Sequence, residues 1–150
     1  NACLYGCLGF NTCVVACPFG AFIPQKDKPP KVNKEICTGC GQCVSVCPKN
    51  LIELLPEDAK IVVRCAMHAK GAVTRKVCAV GCIACGLCAK VCEAAAIKMA
   101  ENLPVVDLEL CTGCGACVVK CPTKVIEHLR PELITYIPPP KKDKAAAPTT

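Results

Sequence analysis

The sequence predicts an α+β fold of two small, similar modules with much irregular backbone. Three observations predict it: the chain of 150 residues contains 18 cysteines, the cysteines form motifs that occur twice, and short hairpin-like segments lie between the motifs. Aromatic residues make up only 3% of the chain and Trp is absent, so an apolar core of ordinary size is not expected. We therefore expect bound metal, rather than side-chain packing alone, to hold the modules together.

Two of the cysteine motifs have the spacing C-x2-C-x2-C-x3-C and are followed by proline. This is the bacterial [4Fe-4S] signature, in which three thiolates face one cluster and the fourth points elsewhere. Disulfides that close such short loops would stabilise little, and zinc sites separate their C-x2-C pairs by about a dozen residues or more. The spacing therefore favours iron–sulfur clusters over a zinc-bearing structural module or a disulfide framework. The two motifs are Cys37, Cys40, Cys43 and Cys47 before Pro48, and Cys111, Cys114, Cys117 and Cys121 before Pro122.

The cysteine positions also show an internal duplication. Cys78, Cys82, Cys88 and Cys92 lie 75 residues after Cys3, Cys7, Cys13 and Cys17, and the set that begins at Cys111 lies 74 residues after the set that begins at Cys37. Each copy thus has an upstream and a downstream motif, as in a bacterial-type two-cluster ferredoxin module, where the fourth cysteine of each motif binds the other motif's cluster. The predicted domains are a first module at 1–58, a basic joint at 59–77, a second module at 78–135 and a flexible tail at 136–150.

The two copies differ at one position that decides the predicted ligands. Phe10 of the first copy stands where the second copy has Cys85. The regular triple of the second copy therefore does not need Cys78, whereas the first copy must use Cys3. Four [4Fe-4S] clusters are predicted, with crossed fourth ligands. The four ligand sets are Cys3, Cys7, Cys13 and Cys47; Cys37, Cys40, Cys43 and Cys17; Cys82, Cys85, Cys88 and Cys121; and Cys111, Cys114, Cys117 and Cys92.

Two cysteines, Cys65 and Cys78, are left over. Two interpretations stay open for them: inert buried thiols, and a disulfide or extra metal site. His68 and His128 are expected to be surface or hydrogen-bonded side chains rather than ligands. No nucleophile–base pair and no G-x-G-x-x-G loop after a strand is present, so we expect no catalytic residue and no site for NAD or flavin in this chain.

The segments between and after the motifs predict the remaining elements. Residues 21–23 and 31–33 flank a proline-containing loop, which predicts a hairpin in the first module, and residues 96–99 and 105–107 predict its counterpart in the second. Short apolar segments at 51–55 and 125–129 follow the downstream motifs. We expect each of them to begin as a helical turn and to end as a strand.

Charge is distributed unevenly along the chain. The formal net charge is +6, but each oxidised cluster with four thiolates carries about −2, so the holo protein is expected near −2. No acidic residue lies between Asp58 and Glu93, and the stretch lacks the interleaved aromatic residues that nucleic-acid binding would need. A docking face for an acidic electron carrier and a solvated linker both remain open. Its basic residues are Lys60, Arg64, Lys70, Arg75, Lys76 and Lys90.

Three stretches carry a resemblance to a known family. CLYGCLGFNTCVVACPFGAF, CTGCGQCVSVCPKNLIEL and VVRCAMHAKGAVTRKVCAVGCIACGLCAKVC resemble the B subunit of the Rnf complex, a membrane-bound ferredoxin:NAD oxidoreductase. The similarity covers about residues 2–130, and its most specific parts are the irregular opening motif and the joint with its two surplus cysteines. Bare ferredoxin motifs are shared more widely, so a cluster subunit of another oxidoreductase or a free polyferredoxin stays as the alternative.

The resemblance implies a role and a location. In that family the subunit relays electrons from reduced ferredoxin into a complex that couples electron flow to NAD with ion transport. Reduced ferredoxin and the other subunits are the implied partners, and the cytoplasmic face of the plasma membrane is the implied location. No apolar run here is long enough to span a bilayer, and the chain starts at Asn1 rather than Met. We therefore expect a fragment that reaches the membrane through a missing N-terminal segment or through partner subunits.

Overall fold

The computed structural model describes residues 3–26 and 28–137, and its regular elements are short. The first module contains α1 (Thr12–Val15), β1 (Phe22–Gln25), β2 (Lys28–Val32) and α2 (Gln42–Ser45), and β3 (Ile61–Val63) and α3 (Gly71–Val77) follow in the joint. The second module contains α4 (Leu87–Lys90), β4 (Ile97–Ala100), β5 (Leu103–Val106), α5 (Ala116–Lys120) and β6 (Ile126–His128), before a 3-10 turn at Pro131–Leu133. This mixture of short helices, short strands and irregular backbone confirms the predicted α+β class. The predicted flexible tail lies, from position 138 onward, outside the described residues.

The short helices α1, α2, α4 and α5 all begin in the same way. The residue before each helix has a positive φ: 55° at Asn11 and 78°, 68° and 81° at Gly41, Gly86 and Gly115. A left-handed residue lets the chain turn sharply out of the preceding cysteine loop, and glycine and asparagine tolerate it best. As a result, the third cysteine of each motif lies in the helix that follows the turn.

Both predicted hairpins are present, which confirms that part of the prediction. In the first module β1 and β2 pair antiparallel, with Phe22 opposite Val32, and in the second β4 and β5 pair with Ile97 opposite Val106. The turn between β4 and β5 is Glu101–Asn102, where φ is 46° and 66°. Two consecutive positive φ angles are typical of a type I′ turn, whose twist matches that of paired strands.

A third strand pair links the joint to the second module. β3 pairs antiparallel with β6, so that Ile61 lies opposite His128 and Val63 lies opposite Ile126. The expectation for 125–129 is therefore right for the strand, but no helical turn precedes it. The same expectation is wrong for 51–55, which has no regular structure. The physical reason is that no strand among the described residues pairs with 51–55, as β3 does with β6.

The apolar core of the described residues lies in the second module and β3. It consists of Ile61, Cys82, Cys88, Ile97, Leu103, Cys117, Cys121, Val125 and Ile126. In the described part of 3–58, by contrast, only Cys13, Ala21 and Phe22 are buried. No helix of the described residues is long and apolar enough to cross a membrane.

Helix α3 of the joint packs closely on the loop that carries Cys82. A Cβ on Gly71 would lie 2.0 Å from the carbonyl oxygen of Ile83, so only glycine allows this approach. One turn later, Thr74 is fully buried, and its methyl group lies 2.6 Å from where a Cβ on Gly81 would be. Thus α3 is a packed part of the second module's surface.

Candidate metal centres

One cavity lies between the two cysteine motifs of the second module. Its lining includes Cys82, Cys85 and Cys88 of the upstream motif together with Cys121 of the downstream motif. These four residues are the third predicted ligand set. Neither a carboxylate nor a histidine lines the cavity, and a set of four thiols suits an iron–sulfur cluster.

A second cavity lies between the two cysteine motifs of the first module, around the downstream rather than the upstream triple. It is lined by Cys37, Cys40 and Cys43 of the downstream motif and by Cys17 of the upstream motif. This is the second predicted ligand set, again with its fourth cysteine from the other motif. Phe22 and Leu54 also line the cavity, so part of its wall is apolar.

The fold also brings together part of the first predicted ligand set, which is Cys3, Cys7, Cys13 and Cys47. Burial raises the pKa of Cys13, and the nearby thiols of Cys7 and Cys47 raise it further. The influence of Cys47 on Cys13 means that the last cysteine of the downstream motif lies near the upstream triple. Cys3 belongs to a turn in which its carbonyl accepts the N–H of Gly6 at 3.2 Å, and its side chain is half-buried.

Each predicted set has one cysteine in a helix, and the most deeply buried of these is Cys117 of the fourth set. Burial, followed by the charges of Cys111 and Cys114, raises the pKa of Cys117 to about 11. Its thiol therefore holds its proton at neutral pH, and a bound metal must displace that proton. Cys92 and Cys111 are partly buried and pack against the same apolar core as Cys117.

Backbone N–H groups point at several of these sulfurs. The N–H of Gly9 donates to Cys7 Sγ at 3.4 Å. In both motifs of the first module the fourth cysteine accepts from the residue four positions later, Ala21 to Cys17 at 3.4 Å and Leu51 to Cys47 at 3.3 Å. Such donors stabilise negative charge on sulfur and thereby raise the reduction potential of a bound cluster.

The pKa of Cys121 indicates that backbone N–H groups also donate to its sulfur. Burial, the largest influence, raises the pKa of Cys121, but hydrogen bonds from the backbone of Val125 and from Thr123 outweigh burial and lower it overall. Val125 again lies four residues after the cysteine. The turn that follows the fourth cysteine therefore serves as an N–H donor in at least three of the four motifs.

Within the described residues, no three His, Cys, Asp or Glu side chains converge tightly enough to hold a single metal ion. The two cavities instead each have four cysteines around them.

The surplus cysteines lie next to the third ligand set. The Sγ of Cys65 accepts the N–H of Cys82 at 3.3 Å, and Cys78 Sγ lies 3.3 Å from where a Cβ on Gly81 would be. Both side chains are half-buried, and neither belongs to a disulfide in the structure. Their role stays open between the two interpretations.

Lys60 and His128, for which the sequence predicted no contact with a ligand loop, hold the loop between Cys111 and Cys114. Lys60 Nζ donates to the carbonyl of Cys111 at 3.3 Å, and its stem lies within 2.5 Å of where a Cβ on Gly113 would be. His128 is buried, accepts the N–H of Arg130 on Nδ1 at 3.0 Å, and bonds the carbonyl of Gly113 through Nε2 at 2.8 Å. Since Nδ1 accepts, Nε2 carries the proton, and His128 is a neutral, hydrogen-bonded residue as expected.

The other histidine lies at the surface between the two modules. His68 contacts the ring of Tyr5 edge-on, with centroids 5.9 Å apart, and its Nδ1 lies 3.2 Å from the carbonyl of Glu101. The amide of Asn102 donates to the carbonyl of His68 at 2.9 Å. These contacts join the first cysteine loop to the β4–β5 turn.

Models of iron–sulfur domain families match three parts of the chain. A 4Fe-4S dicluster domain matches residues 81–125, and 4Fe-4S binding domains match residues 30–53 and 2–21. The matched ranges contain all 16 predicted ligands.

Curated relatives match most of the chain. The B subunit of an ion-translocating oxidoreductase complex from Methanosarcina acetivorans is 49% identical over 127 residues, 85% of this chain and 48% of the relative. The B subunit of the Na(+)-translocating ferredoxin:NAD(+) oxidoreductase complex of Acetobacterium woodii is 44% identical over 84% of this chain and 38% of the relative.

The B subunit of the proton-translocating ferredoxin:NAD(+) oxidoreductase complex of Clostridium ljungdahlii is 47% identical over 86% of this chain and 46% of the relative. The chain thus spans less than half the length of these three relatives. The cysteine-lined cavities and these matches identify the chain as an iron–sulfur homologue of the B subunit of the Rnf-type ion-translocating ferredoxin:NAD oxidoreductase complexes.

Proposed function

We propose that this chain holds four [4Fe-4S] clusters and relays electrons from reduced ferredoxin into a membrane-bound, ion-translocating oxidoreductase complex. The observation that carries the proposal is the pair of cavities, each lined by four cysteines of which one comes from the other motif. When bound, each cluster accepts and releases one electron at a time. The names and similarity of the three relatives support the ferredoxin-linked role.

The residues of this chain supply the ligands and their surroundings. We assign the 16 cysteines to the four crossed sets that the sequence predicts, and no catalytic residue to the chain. The N–H groups of Ala21 and Leu51 stabilise the thiolates of Cys17 and Cys47. Burial of Cys88 and Cys117 shields these two ligands of the second module from water, which limits hydrolysis and oxidation of iron bound to them.

The place in the cell follows from the same proposal. Two of the relatives are named as translocating Na(+) or protons with ferredoxin and NAD(+), chemistry that requires a membrane. We place this chain at the cytoplasmic face of the plasma membrane, held there by other subunits or by a segment outside this sequence. Reduction of NAD then takes place elsewhere in the complex.

Metal analysis tests the cluster count. Protein prepared without oxygen should contain about 16 iron and 16 sulfide per chain, since each cluster contributes four of each. About eight iron per fully folded chain would contradict the two-module assignment, and zinc without visible absorbance would support the structural alternative. Rapid reduction of the iron-loaded chain by reduced ferredoxin tests the relay, and failure of ferredoxin to reduce it would overturn that part.

Substitution of a fourth ligand tests the crossed assignment. Cys47→Ala should alter the EPR signal of the cluster held by Cys3, Cys7 and Cys13, and should leave the cluster of its own motif intact. As a matched control, Cys78→Ala removes a cysteine outside every proposed set and should leave the iron content unchanged. Damage by Cys47→Ala to the cluster of Cys37, Cys40 and Cys43 would show that the ligands are not crossed.

A further inference from the structure

The structure divides the basic residues of the joint into two groups. Arg64 forms an ion pair with Glu127, and Lys60 Nζ donates to the carbonyl of Cys111 at 3.3 Å. These two side chains are occupied within the fold. The remaining four, which have no ion-pair partner among residues 3–26 and 28–137, are exposed: Lys70, Arg75, Lys76 and Lys90.

Helix α3 brings three of these cations to the third ligand set. Its inner face, through Gly71 and Thr74, packs on residues 81–83 on either side of Cys82. In its last turn Arg75 and Lys76 are exposed to solvent, with Lys76 opposite the packed face and Arg75 at its flank, and Lys70 precedes its first residue. Lys90 is the last residue of α4, two positions after the ligand Cys88.

The third ligand set has one accessible ligand, and the segments around it carry exposed apolar side chains. Cys85 is exposed, whereas Cys82, Cys88 and Cys121 are buried. Val73 on α3, Val80 before the loop and Leu87 at the start of α4 are 49%, 70% and 44% exposed. A small apolar area bordered by charges of one sign is typical of weak, transient electron-transfer contacts.

The other ligand sets lack this combination. The exposed ligands Cys37 and Cys40 follow Lys34 and Glu35, so charges of both signs border them. The upstream motif of the first module lies in a stretch without any charged residue from position 3 to position 25. Asp107 and Glu109 precede the fourth set. Among the described residues the exposed cysteines are Cys37, Cys40 and Cys85, and only Cys85 lies within a long stretch, from Asp58 to Glu93, that has basic but no acidic residues.

We propose that the surface formed by Lys70, Arg75, Lys76, Lys90, Val73, Val80 and Leu87, the α3 docking surface, binds an acidic one-electron carrier protein. The carrier's electron enters at the ligand set of Cys82, Cys85, Cys88 and Cys121, through the exposed Cys85. This inference rests on the proposed relay function and adds where the carrier docks and which ligand set it meets. The cations match an acidic partner because opposite charges accelerate encounter.

Charge reversal on the iron-loaded full chain tests the docking surface. The variant carries Lys70→Glu, Arg75→Glu and Lys76→Glu, and its matched control carries Lys26→Glu, Lys28→Glu and Lys31→Glu, which are exposed on the first module's hairpin. Both change the net charge equally. Stopped-flow reduction by a small acidic 2[4Fe-4S] ferredoxin should slow roughly tenfold or more in the first variant at low salt. The two variants should converge at high salt, because exposed charges are screened over about 8 Å at physiological ionic strength.

The outcomes separate the two proposals. Equal slowing of both variants, or no slowing of the first, would overturn the α3 docking surface while wild-type reduction upholds the relay. No reduction of the wild-type chain by ferredoxin would overturn the relay itself. A second variant carries Lys70→Gln, Arg75→Gln and Lys76→Gln. It controls for unfolding of α3 by the glutamates, since Gln places no negative charge at the helix end. It should show a smaller slowing with unchanged iron content, and an unchanged rate would contradict the surface.

Removal of one cluster from each module tests where the electron enters. Cys85→Ala and Cys40→Ala change the second cysteine of the third and second sets, and each should lose about four iron. Only Cys85→Ala should lose the fast phase of reduction by ferredoxin, although dithionite still reduces its remaining clusters. A fast phase that persists in Cys85→Ala, or that disappears in Cys40→Ala, would overturn the assignment.

Discussion

The two modules share a cysteine pattern but differ in how the fold encloses it. In the second module Cys82, Cys88, Cys117 and Cys121 are buried, and only Cys85 is exposed. In the first module Cys13 alone is buried, and Cys37 and Cys40 are exposed. Ligand spacing therefore does not determine how well a site is shielded from water; the elements packed around it do.

The segment CTGCG makes the difference plain, because it occurs at residues 37–41 and 111–115. No atom of the described residues lies within 4 Å of where a Cβ on Gly39 would be, whereas Lys60 packs against the corresponding Gly113. Ile134 likewise covers Gly115 at 2.7 Å from its hypothetical Cβ. In the first copy, among the described residues, only Leu54 approaches either glycine, 3.6 Å from where a Cβ on Gly41 would be, whereas in the second copy the joint and the chain after β6 cover both glycines more closely.

The strand β3 accounts for much of this enclosure. It pairs with β6 and places Ile61 in the core of the second module, while residues 51–55 have no such partner among the described residues. We propose that β3 is structurally part of the second module, although the sequence predicts it to lie in the joint between the modules. Three experiments should each distinguish the second module from the first. They are a substitution in β3, iron chelation, and a change of charge beside Cys111.

The largest effect is expected from Ile61, which is 2% exposed. Ile61→Ala removes a core side chain and should lower the free energy of unfolding by about 2–5 kcal/mol. Because four of the proposed ligands belong to the same core, the second module should release iron earlier in a urea titration followed by visible absorbance. Ile23→Ala, at a side chain 52% exposed, should change the midpoint little. Equal effects of both substitutions would mean that β3 does not hold the second module together.

Iron chelation should distinguish the two modules, because their proposed ligands differ in solvent exposure. With an iron chelator present, the first module should lose iron several-fold faster, because Cys37 and Cys40 are accessible. Alkylation of the freed thiols and mass spectrometry would identify the order, with Cys37 and Cys40 modified before Cys117 and Cys121. Release from all sites at one rate would show that exposure in the folded protein does not control iron loss.

The smallest effect concerns Lys60 and the fourth ligand set. Its positive charge near Cys111 favours the more negative reduced state of a cluster there, so Lys60→Met should lower that cluster's reduction potential. The potential of the cluster at Cys37, Cys40 and Cys43 should not change, and Lys60→Arg should keep both potentials close to those of the wild type. EPR-monitored redox titration measures the shift. An unchanged potential in Lys60→Met would show that Lys60 only packs on Gly113.

The sequence by itself determined the features that depend on local spacing. The C-x2-C-x2-C motifs, the offset of about 75 residues and the two hairpins need only short-range information, because a cysteine loop, a one-turn helix and a hairpin each involve neighbouring residues. The crossing of the fourth ligand stays a prediction from the known motif, in keeping with which Cys17 and Cys121 line cavities together with the other motif's cysteines.

Only the tertiary structure decided the contacts between distant residues. A run of three β-branched residues at Ile61–Val63 has too little pattern to be distinguished from a linker, and its partner strand lies more than 60 positions later. Likewise, six cations without a nearby acid in sequence resemble one continuous basic patch, but the fold pairs Arg64 with Glu127 and turns Lys60 onto the Cys111 loop. The spacing of residues along the chain does not predict which distant strands pair or which distant charges meet. These long-range contacts are what make the second module more shielded than the first.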